Sequence, residues 1–233
     1  MVALLLTRSI PLSRTTRDAW SNSGVRIVSR MRANSGDISK TVSDNKARAV
    51  INLGNLDINF ASLNIPVFNR PDTIRAVSRP LALRRTLPDF IPEHSISGAH
   101  WHKTGGFGGR GKSFHEKTLG ECAVMAGDVQ QHVEGTEFRV ITVGNSVVQA
   151  AEKSGPVGNF DYKWVGVKGV RQNGIIPRLK DAVDRVPGGE FSIFGWDVIV
   201  GPTGIHILEC NTSPGVNDFT AQRIVNQIER ILS

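Results

Sequence analysis

Two neighbouring apolar runs near the C-terminus, each carrying one carboxylate, constrain this chain more than any other feature. Ile193-Phe-Gly-Trp-Asp-Val-Ile-Val200 and Ile205-His-Ile-Leu-Glu209 read as strands, and Gly201-Pro-Thr-Gly204 reads as the hairpin loop between them. That hairpin brings Asp197 across from roughly position 208–209. Glu209 and Asn211 are two residues apart and share a strand face, whereas His206 and Cys210 have the opposite parity. An unpaired carboxylate inside an apolar run is costly. A hard divalent cation removes that cost, because Mg2+ takes oxygen donors from one or two carboxylates and from a substrate's phosphates. The bland reading is a carboxylate pair neutralised by basic side chains. Asn211-Thr-Ser-Pro-Gly215 then turns into a helix from Asp218, with Ala221, Ile224, Val225, Ile228, Ile231 and Leu232 on one face.

The second feature is a glycine loop. Gly106-Phe-Gly-Gly-Arg-Gly111-Lys112-Ser113 matches the P-loop pattern G-x-x-x-x-G-K-S, which has meaning only between a buried strand and a helix. Ala99-His-Trp-His-Lys103 before it is mixed rather than continuously apolar, and Phe114 to Glu121 after it lacks helical periodicity. The other phosphate-binding use is a flap in a hairpin, where Gly106, Gly108, Gly109 and Gly111 let backbone amides close over a nucleotide. That reading needs only a strand on either side.

The remainder reads coarsely. Val25–Val28 and Ala49–Leu53 are short strands, with a polar helix over 39–47 between them, a small β-α-β unit. Pro71 opens a helix that Pro80 restarts, and Pro88 and Pro92 mark a linker. Val129–Val133 and Glu137–Val148 read as strands, with Gly144-Asn145 at a hairpin turn, and 177–186 reads as a helix. Residues 154–176 read as a loop with Phe160, Tyr162 and Trp164 in a partly basic wall. Met1–Leu6 reads as a first strand or a loose arm, since its charges follow the apolar run instead of preceding it, the wrong order for a secretory signal. No apolar run approaches the length of a membrane span, so a soluble, cytoplasmic protein is expected. Two cysteines in 233 residues build neither a disulfide framework nor a zinc set. The net charge of +7 is uneven: residues 1–117 carry 18 basic and 8 acidic residues, and residues 118–233 carry 10 and 13. A basic half invites a nucleic-acid partner.

Glu209-Cys-Asn211-Thr-Ser-Pro214-Gly215, with Asp197 twelve residues earlier, resembles the metal-binding signature of the ATP-grasp enzymes. The glycine flap, Gln130-Gln-His-Val133 and Glu137-Phe-Arg139 follow in that superfamily's order, and the resemblance is closest to its RimK-like carboxylate–amine ligases. It covers about residues 64–233. It implies an α+β ATP-grasp fold, two α+β subdomains gripping ATP, behind a short α/β domain. The expected limits are an arm over 1–20, a reduced front domain and linker helix over 21–92, a glycine-flap subdomain over 93–133 and a metal-binding subdomain over 134–233. It implies Mg2+ or Mn2+ on Asp197, Glu209 and Asn211, and adenine against Gln130, Gln131, His132 and Val133, largely through backbone groups. Glu137 falls at the cleft, with Arg139 and Lys153 as the catalytic cations. The flap lysine of the family is matched by Lys103, one position from the expected His102, and its earlier lysine by Arg79.

The implied activity is ATP-dependent joining of a carboxylate to an amine through an acylphosphate, with ADP released. The substrates would be amino acids, peptides or a protein terminus. A membrane partner is not expected, a nucleic-acid partner is disfavoured, and a homo-oligomer is compatible with so short a chain. Two other readings stay open. One is a P-loop-type NTPase using 106–113, and the other is a catalytically weak nucleotide-binding module that acts through a partner protein.

Overall fold

In the computed structural model, residues 3–7, 13–29, 35–54, 56–94, 98–103, 112–115, 128–154 and 161–233 are described. The chain opens with alternating strands and helices: β1 (Ala3–Thr7), α1 (Arg14–Asn22), β2 (Val25–Ser29), α2 (Ser35–Asp44), β3 (Ala49–Leu53) and β4 (Val67–Phe68). Helices α1 and α2 return the chain from β1 to β2 and from β2 to β3, an irregular connection leads to β4, and the four strands pair in parallel in the order β2-β1-β3-β4. All of β3 is buried: its apolar residues pack on both sides of the sheet, and Asn52 among them donates to the Asn69 carbonyl at 2.9 Å.

The arm expected over 1–20 is therefore not what residues 3–7 and 13–20 form. β1 lies between β2 and β3 inside the sheet, and α1 buries Ala19 and Trp20. The helix escapes a pattern search because only these two of its residues are buried. Ser13 caps it by accepting from the Thr16 amide at 3.2 Å.

Two proline-started helices follow, α3 (Pro71–Val77) and α4 (Pro80–Thr86), then one 3-10 turn over Pro88–Phe90. Next comes a three-stranded antiparallel sheet of β5 (His100–Lys103), β6 (Lys112–His115) and β7 (Asp128–Gln131), in the order β6-β5-β7. The rest is built on a five-stranded antiparallel sheet, β10-β9-β8-β11-β12. Its strands are β8 (Thr136–Val143), β9 (Ser146–Ser154), β10 (Asp161–Trp164), β11 (Ile193–Gly201) and β12 (Gly204–Asn211). α5 (Gly166–Gln172), α6 (Ile175–Arg185) and α7 (Asp218–Ile231) complete the chain. Part of the segment read as a loop over 154–176 is thus the edge strand β10 and helix α5.

Apolar residues cover both faces of the large sheet. Phe138, Val140, Phe194, Trp196, Val198, Ile207 and Cys210 pack with Leu83, Leu87 and Phe90 and with Ile175, Leu179 and Val183 of α6. On the other face Ile141, Val143 and Ile193 meet Ile224, Val225 and Ile228 of α7, and this cluster continues into Trp20 of α1 and Ile51 and Phe68 of the front sheet. The parallel domain and the large sheet therefore share one core. Each fully buried Ile or Val contributes roughly 1.5–3 kcal/mol.

Asn69 stitches the two together. It is fully buried and sits in the left-handed region at φ 58. Its Nδ2 donates to the Ile193 carbonyl at 3.1 Å and the Thr212 carbonyl at 2.9 Å, and its Oδ1 accepts from the Ile193 amide at 2.8 Å. One side chain thus joins the end of β4 to the start of β11 and the end of β12. Asn69→Ala leaves three buried backbone groups unpaired and adds backbone strain. It should cost several kcal/mol in urea unfolding, with Asn69→Gly recovering only the strain, about 1 kcal/mol.

Candidate functional site

The hairpin β11–β12 pairs Gly201 with Gly204 and holds that register to Val198–Ile207, then shifts so that Asp197 faces Glu209 and Gly195 faces Asn211. Leu208 is the extra residue, a β-bulge. Asp197, Glu209 and Asn211 consequently share a face, while Trp196 and Cys210 point into the core. Gly195 lets Pro214 fold back over the strand, since a side chain there would meet the Pro214 Cβ at 2.9 Å.

β8 and β9 bring cations to the same face. Arg139 is the cross-strand partner of Asp197 and grips its carboxylate with two hydrogen bonds, Nε to Oδ1 and Nη2 to Oδ2, the latter at 2.8 Å. The Lys153 ammonium donates to Glu137 Oε1 and lies 3.5 Å from Asp197 Oδ1. Asp197 is only 6% exposed, so this cationic pair is what keeps it buried as an anion. Asn211 Oδ1 accepts from the Ser213 amide at 2.9 Å, which fixes the turn that follows. Two carboxylates and an amide oxygen on adjacent strands are a hard-oxygen donor set of the kind Mg2+ takes. By donor chemistry these residues fit such an ion.

The small sheet supplies the opposite wall. Lys103 pairs across β5–β7 with Asp128, and Trp101 with Gln130, so all four share a face, with His102 and Val129 on the reverse. Lys103 and His102 thus lie on opposite faces of the small sheet. The Lys103 ammonium reaches across to the bulge, donating to the Leu208 carbonyl at 2.7 Å and to Gln130 Oε1 at 2.6 Å.

Other predicted residues fall as follows. Gly106, Gly108, Gly109 and Gly111 lie outside the described residues. The strands around them are antiparallel, with Lys103 opposite Lys112. A strand where a helix is required overturns the P-loop reading. The amides of Gln131 and His132 already donate to the carbonyls of Glu93 and Ala99, at 2.8 and 2.9 Å. Val133 crosses the tip of the large hairpin, its Cγ1 within 2.8 Å of where a Cβ on Gly201 would stand. Arg79 caps α4, is exposed, and joins neither ionic cluster among the described residues. Arg84, one turn further on, is the helix residue that reaches the small sheet, pairing with Asp128. Sequence reasoning missed both. The polar alternation Asp128-Val-Gln130 was the available signal for Asp128.

Neither Cys210 nor His206 has the environment of a nucleophile or base. Burial pushes the Cys210 thiol well up, and the charges of Glu209 and Asp197 add to it. Burial, with Arg178 nearby, lowers His206 below its ordinary 6.5.

No protein-family model matches the chain, and no curated protein matches it by sequence. Solved structures do match. A RimK-domain ATP-grasp protein from Sphaerobacter thermophilus superposes with a TM-score of 0.60 at 15% identity, over 96% of this chain and 98% of that one. D-alanine–D-alanine ligase from Bacillus anthracis, solved with ATP, gives 0.65 at 8% identity over 99% and 98%. The ATP-grasp ligase PsnB, solved with a precursor variant, Mg and ADP, gives 0.65 at 12% over 99% and 98%. The chain has the ATP-grasp fold. Among the described residues no helix is long and apolar enough to cross a membrane.

Two outcomes follow from the side-chain environments. Cys210 should resist iodoacetamide in the folded protein and react on unfolding, read by mass spectrometry. His206, lowered in the folded state, contributes stability that is present above pH 6.5 and lost as pH falls through its folded value. Urea unfolding across pH 5–7 should therefore show a shallower acid slope in His206→Asn than in the native chain.

Proposed function

We propose that this chain is an ATP- and Mg2+-dependent ligase that joins a carboxylate to an amine and releases ADP. The observation that carries the reading is the convergence of Asp197, Glu209 and Asn211 with Arg139 and Lys153 on one sheet face, opposite Lys103. The ATP-grasp fold gives that face its expected use. Mg2+ held by Asp197, Glu209 and Asn211 would neutralise phosphate oxygens during transfer. The precursor complex of PsnB and the dipeptide product named for the D-alanine ligase make an amino acid or peptide the first substrate class to test.

The residues divide the work. Lys103 presents an ammonium between the sheets, where a nucleotide's phosphates would replace its contact with the Leu208 carbonyl. Gln131, His132 and Val133 form the connection between the two sheets, against which adenine would lie. The amides of Gln131 and His132 are committed to Glu93 and Ala99, so the Val133 backbone would be the first group to read the base. The substrate carboxylate oxygen attacks the γ-phosphorus, the bond to ADP breaks, and an acylphosphate forms. The amine nitrogen then attacks the acyl carbon and phosphate leaves, with one proton lost from nitrogen. Arg139 and Lys153 offset the charge on the transferring phosphoryl group and on the tetrahedral species. Glu137 holds Lys153 in place for this. No enzyme nucleophile is required, which agrees with the buried state of Cys210.

Purified protein with Mg-ATP and a panel of amino acids and peptides should release ADP in the presence of one carboxylate–amine pair. Absence of ADP release across the panel would count against turnover, and absence of an ATP-dependent thermal shift against nucleotide binding altogether. Asp197→Asn should reduce ADP release by about a hundredfold or more, a loss on the scale of one transition-state charge contact. Chelation of Mg2+ should abolish it.

A further inference from the structure

The geometry points to Arg84, Asp128 and Gln130 as a buried relay that positions Lys103. This rests on the ligase reading only for what Lys103 does with nucleotide. The relay itself is a property of the ligand-free chain.

Asp128 is fully buried and Gln130 nearly so, and both lie on the face of the small sheet that carries Lys103. A buried carboxylate needs a cation and further donors. Arg84 of α4 supplies the cation, with Nε donating to Asp128 Oδ1 and Nη2 lying 3.3 Å from Oδ2. The same Nη2 donates to the carbonyls of Pro92 at 2.9 Å and Val129 at 3.0 Å, so the guanidinium is fixed by four acceptor atoms. His94 stands at the rim, 3.9 Å from Asp128 Oδ1.

The further donor is Gln130, whose Nε2 gives a 2.8 Å bond to Asp128 Oδ2. That bond determines which way the amide points. A carboxylate accepts only, so Gln130 must turn its NH2 toward Asp128 and its oxygen the other way. The oxygen then receives the Lys103 ammonium at 2.6 Å. An ammonium donates only, so the reverse amide orientation would set donor against donor. Gln130 thus transmits the charge of Asp128 to Lys103 as an orientation. It is a positioning residue, with Arg84 and Asp128 behind it. The result is an ammonium aimed at the bulge carbonyl of Leu208, which links the two sheets across the cleft. Asn at position 128 would lose this determinacy, because an amide can either accept from Gln130 or donate to it.

The test begins without nucleotide. In the full-length, ligand-free chain, labelling by a small amine-acylating reagent is read by mass spectrometry at Lys103 relative to Lys153. Asp128→Asn and Gln130→Met should each raise Lys103 labelling several-fold. Gln130→Met keeps the Arg84–Asp128 ion pair, so it decides the matter where Asp128→Asn fails to fold. Unchanged Lys103 labelling in Gln130→Met overturns the relay. The second arm is a double-mutant cycle on Mg-ATP affinity by calorimetry. Gln130→Met should weaken binding about tenfold in the native background, the size of one charged hydrogen bond, and hardly at all beside Lys103→Met. Full additivity overturns the relay. A native protein that binds no Mg-ATP yet shows the labelling change overturns the nucleotide reading and supports the relay.

Discussion

The extra residue in β12 governs the chemistry of this molecule. Had the hairpin kept the register of its Gly201–Gly204 end, Asp197 would face position 208 and Gly195 would face Cys210. Glu209 would then turn into the core beside Trp196, where an ion has no solvation. The bulge at Leu208 shifts every later residue by one, so both donor side chains of β12 arrive on the face of Asp197. The carbonyl of that same residue, Leu208, receives the Lys103 ammonium from the opposite sheet. One inserted residue therefore aligns the carboxylates and provides the point where the two walls of the cleft touch.

The two buried carboxylates, Asp197 and Asp128, are satisfied in the same way and serve different ends. Each is held by an arginine through both oxygens and touches a second group within its cluster. Removing either arginine would leave a buried anion with part of its desolvation uncompensated. For Asp128 the surroundings are closed, and the carboxylate serves to fix Gln130. Asp197 instead shares its sheet face with Glu209 and Asn211. Under the proposed function, a divalent ion bound there would compete with Arg139 for the same oxygens, and an Arg139 released in part would become available to phosphate. The bland reading of the hairpin, carboxylates neutralised by basic side chains, thus describes the ligand-free chain and is compatible with the metal reading.

Much of this was legible in the sequence. Alternation and turn chemistry identify β3, β8, β9, β11 and β12 and helices α3, α4, α6 and α7 because each carries a strong apolar period or a proline or glycine boundary. The E-x-N-x-S-P-G signature with its earlier aspartate singles out the site strands. What stayed hidden has a physical cause in each case. A bulge leaves no mark when both registers place an apolar residue inward at most positions. Asn69 looks like an ordinary loop residue until the strands it joins, more than a hundred positions apart, are brought together. Arg84 stands beside Arg85 with nothing local to mark it, and its carboxylate partner Asp128 is 44 positions away. α1 buries two side chains and so offers almost no period.

The charge split between the halves of the chain has a different meaning from the one composition suggests. Of the basic residues assigned from the first half to the phosphates, Lys103 stands in the cleft, whereas Arg79 is exposed at the start of α4. Arg139 and Lys153 come from the acidic half. The cations at the site are therefore drawn from both halves, each beside a carboxylate or a carbonyl that would otherwise be unpaired. The excess positive charge lies elsewhere: Arg14, Arg17, Arg26, Lys40, Lys46 and Arg48 are exposed on the front domain. Exposed charges farther apart than a Debye length, about 8–10 Å at ordinary salt, interact weakly. That excess thus acts on approaching anions as a field and leaves the geometry of the cleft untouched. Within the cleft the local pairings decide which cation is held, and where.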